Sequence, residues 1–264
     1  MPQFILKMRA TLTVLGSGTS MGVPTIGCDC AVCRSTDPHD RRTRPSILLS
    51  YNGHHVLIDT TPDFREQALR EKITQLDAVI YTHTHADHIL GIDDLRPLSY
   101  HHKGGKLPLY GTTANCEFLR NMFRYIFDAN YKFGGLPQVE LIPTDGALDL
   151  FGAHFEPVTV IHGESPILGF RFGSAAYLTD HSSVPAESIE KLRGLDILFL
   201  DALRHKPHPT HSSVEQSLQI VAEVRPKRAF FTHICHDLPH EATNAALPAG
   251  VKLAYDGMKL EFEI

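Results

Sequence analysis

The chain has 264 residues, 42% hydrophobic and 21% charged, with a net charge of −5. Such a balance suits one large soluble domain or two small ones, with core enough to fold without staples. The acidic excess argues against a general nucleic-acid or membrane-binding surface, and no apolar run approaches the ~20 residues of a membrane span.

At the N-terminus the apolar stretch 4–6 is too short for an export signal. Residues 11–16 (TLTVLG), 46–51 (SILLSY) and 55–59 (HVLID) read as strands, being short apolar and β-branched runs. Residues 64–72 (FREQALREK) read as a helix with Asp63 as its cap, and 77–82 (DAVIYT) as a buried strand. The stretch 97–150 is rich in Gly and Pro turns. It holds a helix at 113–127 and otherwise reads as an insertion or lid. Strands follow at 153–161, 167–172 and 175–180, then a helix at 185–193 and a strand at 196–201. A helix at 212–224 and strands at 228–233 and 259–264 close the chain. This order predicts an α/β layered domain with two sheets, one domain over 1–264.

Several apolar strands end with a His or Asp at or just past their last residue: VIYTHTHADH, VTVIHG, AAYLTD, LFLDALRH and AFFTHICH. Groups placed at strand ends converge on one edge of a layered sheet. HTHADH is the densest of these, with His83, His85, Asp87 and His88 inside residues 83–88. Alternation puts His83 and His85 on one side of an extended segment, and the turn into the next helix brings Asp87 and His88 to a neighbouring point. Four donors are too many for one ion; as two pairs they seed two adjacent ions. Imidazole and carboxylate at this density are costly unless something binds them.

GCDCAVC offers Cys28, Cys30 and Cys33, three corners of a tetrahedral zinc site. Three of five cysteines crowded together argue against a disulfide framework and for the cytoplasm. THICH carries His233 and His236. If His233 serves the paired ions, His236 is free to be the fourth corner, with His240 and Cys235 as alternatives. A Cys3His zinc would tie the loop after the first strand to the loop presenting His233. Cys116 reads as a helix-core cysteine. LGSGTSMG departs from G-x-G-x-x-G at Met21, so it reads as a tight turn presenting Thr19 and Ser20 more than as a phosphate cradle. Asp59 either orients a ligand histidine or caps its strand. Arg96 and Arg204 either meet a phosphate or make ordinary surface contacts.

THTHADH resembles the signature of the metallo-β-lactamase superfamily, and His162, Asp180 and His233 follow in that family's order. The resemblance implies an αββα sandwich with a dinuclear metal site at the sheet edge. His83, His85 and His162 would hold one ion, Asp87, His88 and His233 the other, and Asp180 would bridge. LGSGTSMGVPTIGCDCAVC, LTDHS, THSS and THICH narrow the likeness. They resemble the cyclic phosphodiesterases related to phosphoribosyl 1,2-cyclic phosphate phosphodiesterase, which combine a dinuclear site with a Cys3His zinc. This implies hydrolysis of a small phosphodiester by a hydroxide shared between two divalent metals (Zn, Mn or Fe), with one further structural zinc. Asp87 and His211 would be catalytic, His211 as general acid. The surrounding RHKPHPTHSS adds His205 and His208 to that group's pattern. The implied partner is a small molecule, without nucleic acid or membrane, and a homodimer is compatible with the chain. Two rivals share the superfamily's chemistry. A transfer-RNA 3′-processing endonuclease would need a basic arm, for which only HHKGGK (101–106) offers itself. A thioester or lactam hydrolase would direct the same attack at carbon. A zinc-stapled scaffold without turnover would not need the complete donor set.

Overall fold

The computed structural model describes residues 8–128, 130–131 and 133–264; the apolar stretch 4–6, read above as too short for an export signal, lies outside them. The first half contains β1 (Arg9–Gly16), β2 (Ser46–Tyr51), β3 (His54–Ile58), α1 (Phe64–Glu71), β4 (Ala78–Ile80) and the single turns α2 (Ala86–Ile89) and α3 (Arg96–Ser99). It ends with β5 (Leu107–Gly111), α4 (Thr113–Met122) and β6 (Val139–Pro143). The second half runs through β7 (Leu148–Leu150), β8 (Ala153–His162), β9 (Ser165–Phe172), β10 (Ala175–Leu178), α5 (Ala186–Lys191) and β11 (Ile197–Asp201). Helix α6 (Val214–Val224), β12 (Arg228–Thr232), α7 (His240–Ala246) and β13 (Val251–Leu253) follow, and β14 (Lys259–Glu263) crosses back to pair with β1.

The strands form two seven-stranded sheets, β14-β1-β2-β3-β4-β5-β6 and β13-β12-β11-β10-β9-β8-β7. Within the first, β3 to β6 run parallel; within the second, β10 to β13 do. Parallel neighbours need crossovers, and the crossover helices cover the outer faces. Strands buried on both faces read as unbroken apolar runs, which is why β2 and β11 are buried nearly throughout. Between the sheets Leu12, Ile47 and Ile80 meet Phe155, Tyr177 and Phe199. On one outer face Phe64 of α1 and Leu119 of α4 pack on Leu57 and Val79. On the other, Ile189 of α5 and Val214 of α6 pack on Leu198 and Phe231. The result is a single αββα sandwich. Among the described residues no helix is long and apolar enough to cross a membrane.

Three expectations change. Asp63 makes no side-chain cap for α1; its carboxylate accepts instead from the Arg44 amide at 2.8 Å and guanidinium at 2.7 Å. The helix predicted at 113–127 stops at Met122, and Thr112 caps its start by accepting from the Asn115 amide. The stretch 97–150 is framework over much of its length: β5 and β6 extend the first sheet and β7 edges the second. Their sequences (LPLYG, VELIP, LDL) are short, and the first two carry Pro or Gly. Pairing with β4 supplies the order that local propensity lacks.

Candidate metal centre

The strand-end residues of both sheets meet at one edge, where open α/β sheets place their ligands. Past β4 the chain is extended through His83 and His85. Helix α2 then turns Asp87 and His88 inward, and both are buried. From the second sheet come His162 at the end of β8, Asp180 two residues beyond β10, and His233 directly after β12. Donor atoms of His83, His85 and His162 lie within 4.8 Å of one another, and those of Asp87, His88, Asp180 and His233 form a second such group. Asp180 stands between the groups: its Oδ1 is 3.2 Å from His88 Nε2, and its Oδ2 is 3.1 Å from His233 Nε2 and 4.0 Å from His83 Nε2.

These contacts are close without being hydrogen bonds. The Nε2 atoms of His83, His88 and His233 and Oδ2 of Asp87 are buried and make none. A buried polar atom left unpaired costs roughly 1–3 kcal/mol, so four converging on one place fit a cation better than they fit each other. The opposite ring nitrogens are held by the protein. His88 Nδ1 is 2.7 Å from Asp59 Oδ2, whose carboxylate also accepts from the Thr82 amide and hydroxyl. His83 Nδ1 meets Thr82 Oγ1 at 3.0 Å, and His162 Nδ1 the Thr210 carbonyl at 2.7 Å. Such bonds fix the ring and leave Nε2 to face the centre.

Charge follows burial. Burial alone would lower the pKa of His88, but Asp180, Asp87 and Asp59 hold it well above the usual imidazole range. Burial likewise opposes the charge on His233, yet Asp180 and Asp87 push it up to about 10. Against the same penalty, His233 and His88 hold Asp180 well below the usual carboxylate range. Without metal, two imidazolium protons therefore offset two carboxylates. Burial and the neighbouring His88 depress His83.

His211 adjoins this centre, stacked on His233 with ring centroids 4.6 Å apart. Its Nδ1 is 2.6 Å from Oδ2 of the fully buried Asp201. Burial raises Asp201 well above the carboxylate range, while burial and His233 lower His211 to about 4. The two shifts describe one pair. A carboxylic acid beside a neutral imidazole holds the same proton count as a carboxylate beside an imidazolium.

Asp59, Asp180 and His233 all have positive φ, at 65°, 55° and 59°. This left-handed region costs a non-glycine residue of order 1–3 kcal/mol. All three stand just past strands, where the turn aims the side chain at the centre.

The cysteine loop meets His236: its Nδ1 lies 3.1, 3.5 and 3.4 Å from the sulfurs of Cys28, Cys30 and Cys33. The Cys33 amide lowers Cys30 to about 7, and burial pushes Cys33 to about 11. Neither alternative corner is near. His240 bonds Asn244, and Cys235 sulfur accepts from the Asp237 amide. Cys116 is buried on α4.

The glycine-rich loop is pinned by its backbone. The Thr19 amide donates to Ile234 and the Gly22 amide to Thr19, so those donors do not cradle an anion. A Cβ at Gly18 would stand 2.7 Å from the Arg42 carbonyl, which explains that glycine by close approach. Asp59 holds His88. Arg96 donates to the Gly135 carbonyl, and Arg204 to those of Lys206 and Pro207. His205 pairs with Glu215, while the His208 ring lies 5.1 Å from that of His211. Sequence reasoning gave no role to Asp201, Thr82 or Thr210. Asp201 carried the same strand-end signal as the others; the two threonines carried none.

A profile of the β-lactamase superfamily domain matches residues 54–234. The crystal structure of a new diphosphatase from the PhnP family superposes with a TM-score of 0.93 and 62% identity, over 98% of this chain and 99% of that one. An octanoyltransferase of Porphyromonas gingivalis is 39% identical over 257 residues, 96% of this chain and 51% of that protein. A ribonuclease Z of Methanopyrus kandleri is 33% identical over 82 residues, 30% of this chain and 29% of that one. The chain thus spans about half the length of the first of these curated relatives and less of the second.

Proposed function

The chain belongs to the β-lactamase superfamily; from that premise we propose that it is a metal-dependent hydrolase that cleaves a small phosphodiester, cyclic as in phosphoribosyl 1,2-cyclic phosphate. The observation that carries the reading is the pair of donor groups converging across Asp180 with the Asp201/His211 pair beside them. His83, His85 and His162 would hold one divalent ion, and Asp87, His88 and His233 a second, with Asp180 shared. Cys28, Cys30, Cys33 and His236 would hold a zinc, because soft thiolates favour it. When bound, paired dications bring the pKa of a water to ~7 and draw charge from phosphoryl oxygens.

The chain's own residues do the rest. Two carboxylates among neutral imidazoles only partly offset the charge of two dications, so with both ions bound the site would be net positive in an acidic protein, which suits a singly charged diester. Asp59, Thr82 and Thr210 hold three rings in orientation, and Asp180 aligns both groups. Asp201 fixes His211 through Nδ1, so that a proton carried on Nε2 can pass to a leaving alkoxide while the one between Nδ1 and Asp201 stays with the pair.

The 62% identical diphosphatase favours a second reading, in which the bond broken is the P–O–P link of a diphosphate ester. A phosphate leaves more readily than an alkoxide, so His211 would matter less there. Acyl transfer is not proposed, since half of the octanoyltransferase lies outside the match. RNA processing is not proposed, since the ribonuclease Z relatives match over only 24–55% of this chain and the sequence offers only HHKGGK as a basic arm.

Parallel assays of metal-loaded protein test this: bis(p-nitrophenyl) phosphate, a five-membered cyclic phosphodiester, a diphosphate diester, a thioester and a lactam. Turnover at phosphorus supports the proposal, and the preferred phosphorus substrate separates its two forms. Hydrolysis of the lactam or thioester with phosphodiesters untouched overturns it.

A further inference from the structure

Between β11 and α6 the chain makes a loop closed at its neck by two backbone bonds: the Leu203 amide donates to the Ser212 carbonyl and the Val214 amide to that of Arg204. Within it, residues 208–211 reach the metal centre. Thr210 works in two directions there. Its carbonyl meets His162 Nδ1 at 2.7 Å, while its amide donates to His208 Nδ1 at 3.3 Å and its hydroxyl lies 3.2 Å from the same nitrogen. A backbone amide can only donate, so His208 Nδ1 is an acceptor with a free lone pair. The ring is therefore neutral and carries its proton on Nε2. Burial, His211 and Arg204 all hold its pKa below the usual imidazole range, which preserves that form.

Position gives this donor its use. His233 is fully buried, His211 stacks on it with centroids 4.6 Å apart, and the His208 ring follows at 5.1 Å from His211 as the less buried of the two. Pro209 and Thr210, next along the chain, wall a cavity of about 880 Å³ beside His83, His85 and His162. Arg204 and the exposed Lys206 stand on the same loop, and His205 is bonded to Glu215 at 2.7 Å. A substrate whose leaving oxygen meets His211 runs its outer part past this loop.

We infer that Nε2 of His208 donates a hydrogen bond to an oxygen of a second phosphate of the substrate, one that the reaction does not attack. The inference rests on the phosphodiester reading above and deepens it. Both substrates considered there carry such a group: the phosphate on the ribosyl part of the cyclic ester, or the departing phosphate of the diphosphate. A phosphate oxygen is a charged acceptor, and a ring already held by Thr210 loses little freedom in meeting it.

Two measurements on zinc-loaded protein test this. Long-range proton–nitrogen spectra should show His208 neutral at pH 7.5 with its proton on Nε2; a ring protonated on Nδ1 overturns the inference. Calorimetric binding, without turnover, compares a nucleoside 5′-monophosphate with the non-hydrolysable α,β-methylene 5′-diphosphate, which adds one phosphate. His208→Ala should shrink the preference for the diphosphate ~tenfold with zinc content intact. His208→Gln keeps an N–H donor and should restore part of that preference. An undiminished preference in His208→Ala overturns the inference, as does an equal loss for both ligands, a loss of zinc, or failure of the diphosphate to bind the parent protein. If the binding pattern holds and no phosphodiester is turned over, the proposed reaction fails while the assignment of His208 stands.

Discussion

His83, His88 and His162 each commit Nδ1 to a protein oxygen and keep Nε2 for the centre. In the metal-free state protons hold His88 and His233 against Asp87 and Asp180. Both histidines have raised pKa values. Their stabilising charge is complete below the unfolded pKa of ~6.5 and is lost as pH rises through the folded value, about 10 for His233. Ions need the neutral rings, so their affinity rises over the same range. Melting of chelator-treated and metal-loaded protein at pH 6.5 and 9 should therefore show a gap that widens with pH. A gap that stays constant or shrinks contradicts this placement of charge. Asp59→Asn removes the anion behind His88 and should weaken one of the two ions ~10–100-fold in chelator competition; unchanged affinity would deny Asp59 that role. His211→Ala should lower turnover of an alkoxide-leaving diester ~10²–10⁴-fold with metal content intact. Equal loss of metal would make His211 a ligand. The cluster at 83–88 was legible because its donors are adjacent in sequence. The threonine contacts and the positive φ of Asp59, Asp180 and His233 were not, because no residue type announces them.

Arg42 works at the scale of elements. It is almost fully buried, and its guanidinium donates to the carbonyls of Cys235 and Leu238, on either side of His236, and to Asp40 at 3.0 Å. Its backbone pairs with Val23, at the entrance to the cysteine loop. One residue thus joins the two segments that the Cys3His group also joins. Arg42→Met leaves the buried Asp40 carboxylate without its cation, held only by the His240 amide, and should cost ~3–5 kcal/mol of stability. The double change Asp40→Asn with Arg42→Met should recover part of that loss in denaturant unfolding. No recovery would place the cost in lost packing. The pairing of His236 with three cysteines was legible by counting corners, since a tetrahedral site lacks one. The role of Arg42 was not, because a buried arginine looks like a surface one in sequence. The reading of 97–150 as a lid failed for a related reason: β5 and β6 are ordered by their neighbours.

Across the whole molecule, the first sheet carries His83, His85, Asp87 and His88 while the second carries His162, Asp180 and His233, and the centre exists only where the sheets are packed. Phe199 sits in that packing, its ring centroid 5.3 Å from that of Phe230 and 6.1 Å from that of Tyr177. The alternating strands and helices made the layered class legible, and strand-end polar residues marked the shared edge. What the sequence could not display is that Asp180 stands within reach of both donor groups, a fact of sheet-on-sheet packing. Anomalous diffraction from crystals of metal-loaded protein measures that directly. The account predicts two peaks flanking Asp180, one among His83, His85 and His162 and one among Asp87, His88 and His233, with a third inside Cys28, Cys30, Cys33 and His236. A peak at the cysteines alone, with the imidazoles turned away from Asp180, would contradict it.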